Sequence, residues 1–144
     1  MEHLIGIQSE KVENKIERGK VKEFAEAIGS RNPIFIDKET GLQSAYGENI
    51  APVTYPRVLD FGTLNSLKLP SKGLIHGEQT YTYQRPLKVG ESVFCYQKLI
   101  DCYEKKGMLF VVIKGYGETE NEKEIFNVEQ LIIISETVRK ENNI

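Results

Sequence analysis

Ala27-Ile28-Gly29-Ser30-Arg31-Asn32-Pro33-Ile34-Phe35-Ile36-Asp37 is the stretch against which the rest of the chain is read. Upstream, Val21, Phe24, Ala25 and Ile28 recur at i, i+3, i+4 and i+7, the spacing of one face of a helix over 20–28. Lys20, Lys22, Glu23 and Glu26 take the opposite face. Gly29 can adopt the left-handed conformation that closes such a helix. Asn32-Pro33 then fixes a turn, because proline sets its own φ and drives the preceding residue out of the helical region. Asp37 is placed to cap a second, short helix over 38–46, closed by Gly47.

Beyond this region lie a long helical pattern and then a change of period. Over 51–69, Tyr55, Val58, Leu59, Phe61, Leu64 and Leu67 cover most of a helical circumference, which predicts a buried helix. Pro56 fits its first turn and Pro70 its end. From residue 74 the period is two. Strands are expected at 74–86, 91–105, 108–118 and 124–137, and the short Gly- or Asn-bearing joins between them predict antiparallel hairpins. On the third strand Leu109, Val111, Ile113, Gly115 and Gly117 share a face; the glycines predict a bend or a close helix contact. A weak edge strand is expected within 8–16, and residues 138–144 read as frayed. The sum is an α+β domain over 1–144, an antiparallel sheet wrapped around a central buried helix.

Composition limits the function classes. With 144 residues, 40% hydrophobic and 28% charged, the chain is an ordinary globular domain. A formal charge of −2 gives no electrostatic footprint for nucleic acid or an anionic membrane. No apolar run approaches the roughly 18 residues of a membrane span. Met1-Glu2-His3-Leu4 lacks the basic and apolar regions of a signal peptide, so the cytoplasm is the expected compartment. No Cys/His cluster has zinc spacing, so neither metal nor cofactor is expected. Cys95 and Cys102, at an odd separation in one expected strand, are placed on opposite faces.

The stretch at 29–35 resembles the catalytic loop of the MaoC-like hydratase/dehydratases, G-D-x-N-P-[IL]-H, in Gly29, Asn32, Pro33 and Ile34. The family's Asp is here Ser30, and its His is Phe35. Ala51-Pro52-Val53-Thr54-Tyr55 is similar to that family's lead into its central helix. Leu74-Ile75-His76-Gly77-Glu78-Gln79 and Tyr83-Gln84-Arg85-Pro86-Leu87 resemble the HGEQ…RPL strand of its N-terminal, FAS1-like dehydratase branch. The resemblance implies a hot-dog fold and the handling of acyl thioesters on coenzyme A or acyl carrier protein. It also implies a homodimer, or a heterodimer with a catalytic hot-dog subunit.

That chemistry needs a base for water, a partner to share the proton, and a backbone N–H for the thioester carbonyl. A neutral serine and a phenylalanine supply neither proton-handling group. Each is worth about 10²–10⁴ in rate, so a non-catalytic, substrate-binding subunit is the expected function.

The binding candidates are Arg31, Asn32, Ile34, Phe35, Val53, Thr54 and His76. Each has a structural alternative. Asn32 can simply cap its own turn, Arg31 can face solvent, and His76 can be a hydrogen-bonded strand residue. Val53 and Thr54 can be ordinary unpaired helix-start donors. Ser30 as a nucleophile would need His76 brought to it. A self-sufficient thioesterase, or a hydratase using Asp37, Asp60 or Glu78, is the competing class; an acyl-CoA sensor is the third.

Overall fold

A computed structural model describes residues 1–144. In chain order the elements are β1 (Val12–Lys15), α1 (Arg18–Ala27), α2 (Pro33–Ile36), α3 (Lys38–Gln43), β2 (Leu74–Tyr83), β3 (Ser92–Lys105), β4 (Met108–Glu118), β5 (Glu124–Ile134) and α4 (Glu136–Glu141). Single 3-10 turns occupy Glu2–Leu4 and Tyr55–Val58. The five strands form one antiparallel sheet in the order β1-β3-β4-β5-β2.

The expected hairpins hold for β3–β4 and β4–β5. The first turns at Lys106 and Gly107, both at positive φ, as a two-residue connection that follows strand twist requires. The join from β2 to β3 is not a hairpin. β2 crosses the sheet to pair with β5, with Gln79 opposite Gln130 and Tyr83 opposite Phe126. Residues 84–91 serve other partners: Gln84 N–H donates to Ile125, and Arg85 pairs with Glu91 at 2.8 Å. The meander expected from short joins is thus three strands, and β2 becomes an edge.

The helix expected over 51–69 is absent beyond the turn at Tyr55–Val58. Gly62 lies at φ +76°, and the Asp60 carboxylate accepts from Gly62 N–H at 2.9 Å, a local bond that competes with the helical ladder. Thr63, Asn65 and Ser66 add poor helix propensity. The segment instead runs as a strap across the inner face of the sheet. Its backbone groups find partners there: Ser9 Oγ donates to Phe61 O at 2.7 Å, Gln97 Nε2 to Gly62 O at 2.6 Å, and Asn14 bonds both Asp60 N and O. The apolar residues that suggested a helix are still used. Phe61 lies on Gly115, where an added Cβ would meet its ring at 2.8 Å, and Leu64 is buried.

The inner face carries two apolar clusters. Ile16, Val21, Tyr55, Leu87, Val93 and Phe126 belong to one; Leu64, Leu99, Val111 and Ile134 belong to the other. The β4 face reads as expected, with Leu109, Val111, Ile113, Gly115 and Gly117 all buried. The glycines answer to rings rather than to a helix: a Cβ at Gly117 would lie 2.1 Å from the Phe126 ring. Cys95 and Cys102 are both buried free thiols. A bulge between Leu99 and Asp101 shifts the phase of β3 by one residue and brings Cys102 to the inner side, against the expected alternation. Burial pushes the Cys95 thiol up to about 12.

The C-terminal residues are not frayed either. Ser135 caps α4 through Val138 N–H, and Val138 packs on Gly73.

Candidate functional site

The turn that opened the sequence reading is built by one buried residue, Asn49. It is fully buried. Its Nδ2 donates to Ile34 O and to Asp37 O, each at 2.8 Å, and its Oδ1 accepts from Arg18 Nη1. Arg18 Nη2 also pairs with Glu48 at 2.7 Å, and the Glu48 carboxylate accepts from Asn49 N–H. Those bonds from Arg18 first, then from the backbone, hold the Glu48 carboxyl below its usual range. Gly41 lies so close that a Cβ would stand 2.5 Å from Asn49 N. One side chain therefore joins α1, α2, α3 and the chain leading to residue 51. Nothing in spacing or periodicity singles it out; a polar pair inside Gly47-Glu48-Asn49-Ile50 reads as a loop.

Within the turn, Asn32 caps α2 by accepting from Ile34 N–H at 3.1 Å, and Ser30 Oγ accepts from Asn32 N–H at 3.4 Å. Arg31 is exposed, while Ile34 and Phe35 are half-buried. Asp37 caps α3 through Thr40 at 3.0 Å, and the Thr40 hydroxyl and N–H together depress its carboxyl. Val53 is exposed, and neither its N–H nor that of Thr54 has an acceptor within the chain. Val53 O accepts from the Tyr83 hydroxyl at 2.6 Å. His76 is exposed on β2 beside a bulge, and no hydrogen bond joins it to Ser30. Glu78 is exposed on the outer side of β2.

The cavity lies elsewhere. Where the expected helix would have run, the strap leaves a half-open space of about 290 Å³ between the two apolar clusters, at the lower end of small-molecule sites. Arg57, Leu59, Asp60 and Phe61 roof it. Gln79, Gln97, Gln130, Ile113, Gly115 and Val128 form its floor. None of residues 29–37 lines it, and neither do His76, Val53 or Thr54. Its lining holds no histidine and one carboxylate, Asp60, already bonded to Gly62 N–H. No group of three or more His, Cys, Asp or Glu is placed to hold a metal. No helix is long and apolar enough to cross a membrane.

A five-stranded antiparallel sheet, with a turn and strap lying on its inner face, defines a hot-dog domain with a reduced central helix. The chain belongs to the FAS1-like dehydratase domain region family, whose model matches residues 3–128. Among curated relatives it is similar to the UPF0336 protein of Thermobifida fusca, 29% identical over 126 residues and 83% of each chain. Among solved structures it resembles the C-terminally truncated HadBC (3R-hydroxyacyl-ACP dehydratase) complex of Mycobacterium tuberculosis. That match has a TM-score of 0.80 at 17% identity, over 90% of this chain and 96% of that one. The (R)-hydratase of A. caviae involved in PHA biosynthesis matches with a TM-score of 0.71 at 20% identity, over the same shares. At these identities the structural likeness speaks for the fold.

Proposed function

We propose that this chain is the non-catalytic, acyl-thioester-binding subunit of a hydratase/dehydratase. The observation that carries the reading is the cavity beneath the strap, which has room for part of an acyl chain and no acid–base pair. Ser30 and Phe35 stand where the resembled loop has its proton-handling residues, and no His–carboxylate pair lines the cavity. The free N–H groups of Val53 and Thr54 are the donors available to a thioester carbonyl. Arg31, Asn32, Ile34, Phe35 and His76 stay with them as binding candidates. The carrier is coenzyme A or acyl carrier protein.

The partner is a catalytic hot-dog subunit. β2 is a ten-residue edge strand with exposed Leu74 and Ile75, and an unpaired edge of that length is a template for another strand. The solved relative HadBC is itself a complex, which supports the pairing. Mixing this chain with a subunit that carries an intact Asp/His loop should raise that subunit's activity on long acyl thioesters more than on crotonyl-CoA. Val128→Phe, which would fill the cavity floor, should erode the long-chain advantage and leave assembly intact. Absence of binding, or of any chain-length effect, counts against the subunit reading.

One observation favours a second reading, a self-sufficient thioesterase: Asp60 does line the cavity. In that case the chain alone cleaves acyl-CoA, and Asp60→Asn abolishes the cleavage.

A further inference from the structure

The outer face of the sheet, away from the strap, carries a charge pattern that the chain itself leaves unpaired. Lys98, Lys114 and Glu129 lie side by side in one cross-strand row, and Asp101, Val112, Leu131 and Glu78 in the next. Phe110 and Ile133, again opposite each other, continue the apolar part. A half-open hollow of about 420 Å³ lies among these rows, lined only by residues of β2, β3, β4 and β5. Lys114 stands directly opposite Glu129 on paired strands, yet neither makes an ion pair within the chain, and neither do Lys98, Asp101 and Glu78. The two lysines turn instead to the Tyr116 ring, with Nζ 5.6 and 5.9 Å from its centroid. The three carboxylates are not placed to hold a metal ion.

This pattern is complementary to itself. Sheets stacked face to face lie about 10 Å apart, with their strands within about 30° of each other. A twofold axis running along the strands, between β4 and β5, would lay each β4 on the partner's β5. Lys114 then faces the partner's Glu129, Val112 the partner's Leu131, and Phe110 the partner's Ile133. Each contact occurs twice, as an isologous interface requires. Asp101 meets the partner's Glu78 at the rim, and a Lys98 one row from both offsets that pair. Strand and residue spacings give a patch of about 500 Å² per copy, which falls at the weak end of specific interfaces. Pairing through the β2 edge extends the sheet sideways and leaves this face free.

We propose that the outer face is a self-association surface, on which a second copy of this chain stacks back to back with β4 over the partner's β5. The contact joins two edge-paired units into one assembly, and it does not depend on what the cavity binds.

The test is sedimentation of the purified chain from about 5 to about 500 μM, the range suited to a weak interface. The mass at the upper end should be twice that at the lower end. K114E and E129K each set like charges against each other at both twofold-related contacts, and each alone should lose the doubling. An equal mixture of the two variants should regain it, because every such contact then joins opposite charges. L131E, which puts a charge at the centre of the apolar part, should also lose the doubling, and it replaces a charge variant that fails to fold by circular dichroism. A parent mass that stays constant across the range overturns the inference, and so does a doubling that persists in these variants. A mixture that stays at the lower mass overturns the twofold arrangement.

Discussion

Asn49 shows how much of the candidate region depends on a single side chain. Replacing it with leucine removes the donor to Ile34 O and Asp37 O and the acceptor for Arg18. Both carbonyls keep a backbone donor, Ile50 N–H and Gly41 N–H, but Arg18 loses its acceptor and an apolar side chain fills a fully buried polar site, so Asn49→Leu is expected to lose about 2 kcal/mol in urea denaturation. Glu48 beside it sets an acid-side dependence. Its folded-state pKa lies below the ordinary 4.5 because Arg18 and Asn49 N–H bond the charged form. A depressed carboxyl adds stability that is complete above the unfolded pKa and is lost as pH falls through the folded one. Glu48→Gln should therefore be less stable than the parent at neutral pH, and the two should converge as pH falls below about 4, as seen in thermal midpoints across that range. At this scale the sequence was legible where a residue acts on its neighbours: Asp37 and Asn32 cap their own turns. It was silent on Asn49, whose side-chain partners Arg18, Ile34 and Asp37 come from separate segments.

The strap is the element that departs most from expectation. Its apolar spacing suits a helix, yet Gly62 at positive φ and the Asp60 bond to Gly62 N–H break the ladder within the pattern. Periodicity records which residues are buried; it did not record that Ser9, Asn14 and Gln97 wait on the sheet for the strap's backbone groups. β4, whose hydrogen bonds go to adjacent strands on both sides, matched its expected bounds. β3 was found, but its bulge was invisible, because one extra residue changes the side-chain phase without changing composition. Phe61 is the strap's anchor, lying on Gly115 and edge-on to Phe126 with ring centroids 6.2 Å apart. Phe61→Ala should cost about 2 kcal/mol and widen the cavity. Hydrogen exchange should then quicken at Gly62 and neighbouring strap amides while β4 amides stay protected.

At the scale of the molecule, the sheet and the strap divide the labour. The sheet gives a stable inner face; the strap occupies the place of a helix without filling it, and the cavity is what remains. The α+β class and all five strands, the weak edge strand within 8–16 included, were readable from period and turns, and the resemblance at 29–35 pointed to the hot-dog fold. The place of β2 in the strand order was not readable, because an eight-residue join fits a hairpin and a crossover equally. That order leaves β2 exposed, and the chain is expected to sediment as a dimer at micromolar concentration, alone or with a partner; a stable monomer would remove the edge-pairing argument.

The central claim is that the cavity binds an acyl thioester and does not transform it. Titrating the purified chain with 2-decenoyl-CoA, while following the absorbance of the conjugated enoyl thioester, reads both halves at once. The account predicts a saturable binding signal and an absorbance that does not decay. Steady loss of the conjugated absorbance at the rate of an intact hydratase, or no binding at all, would contradict it.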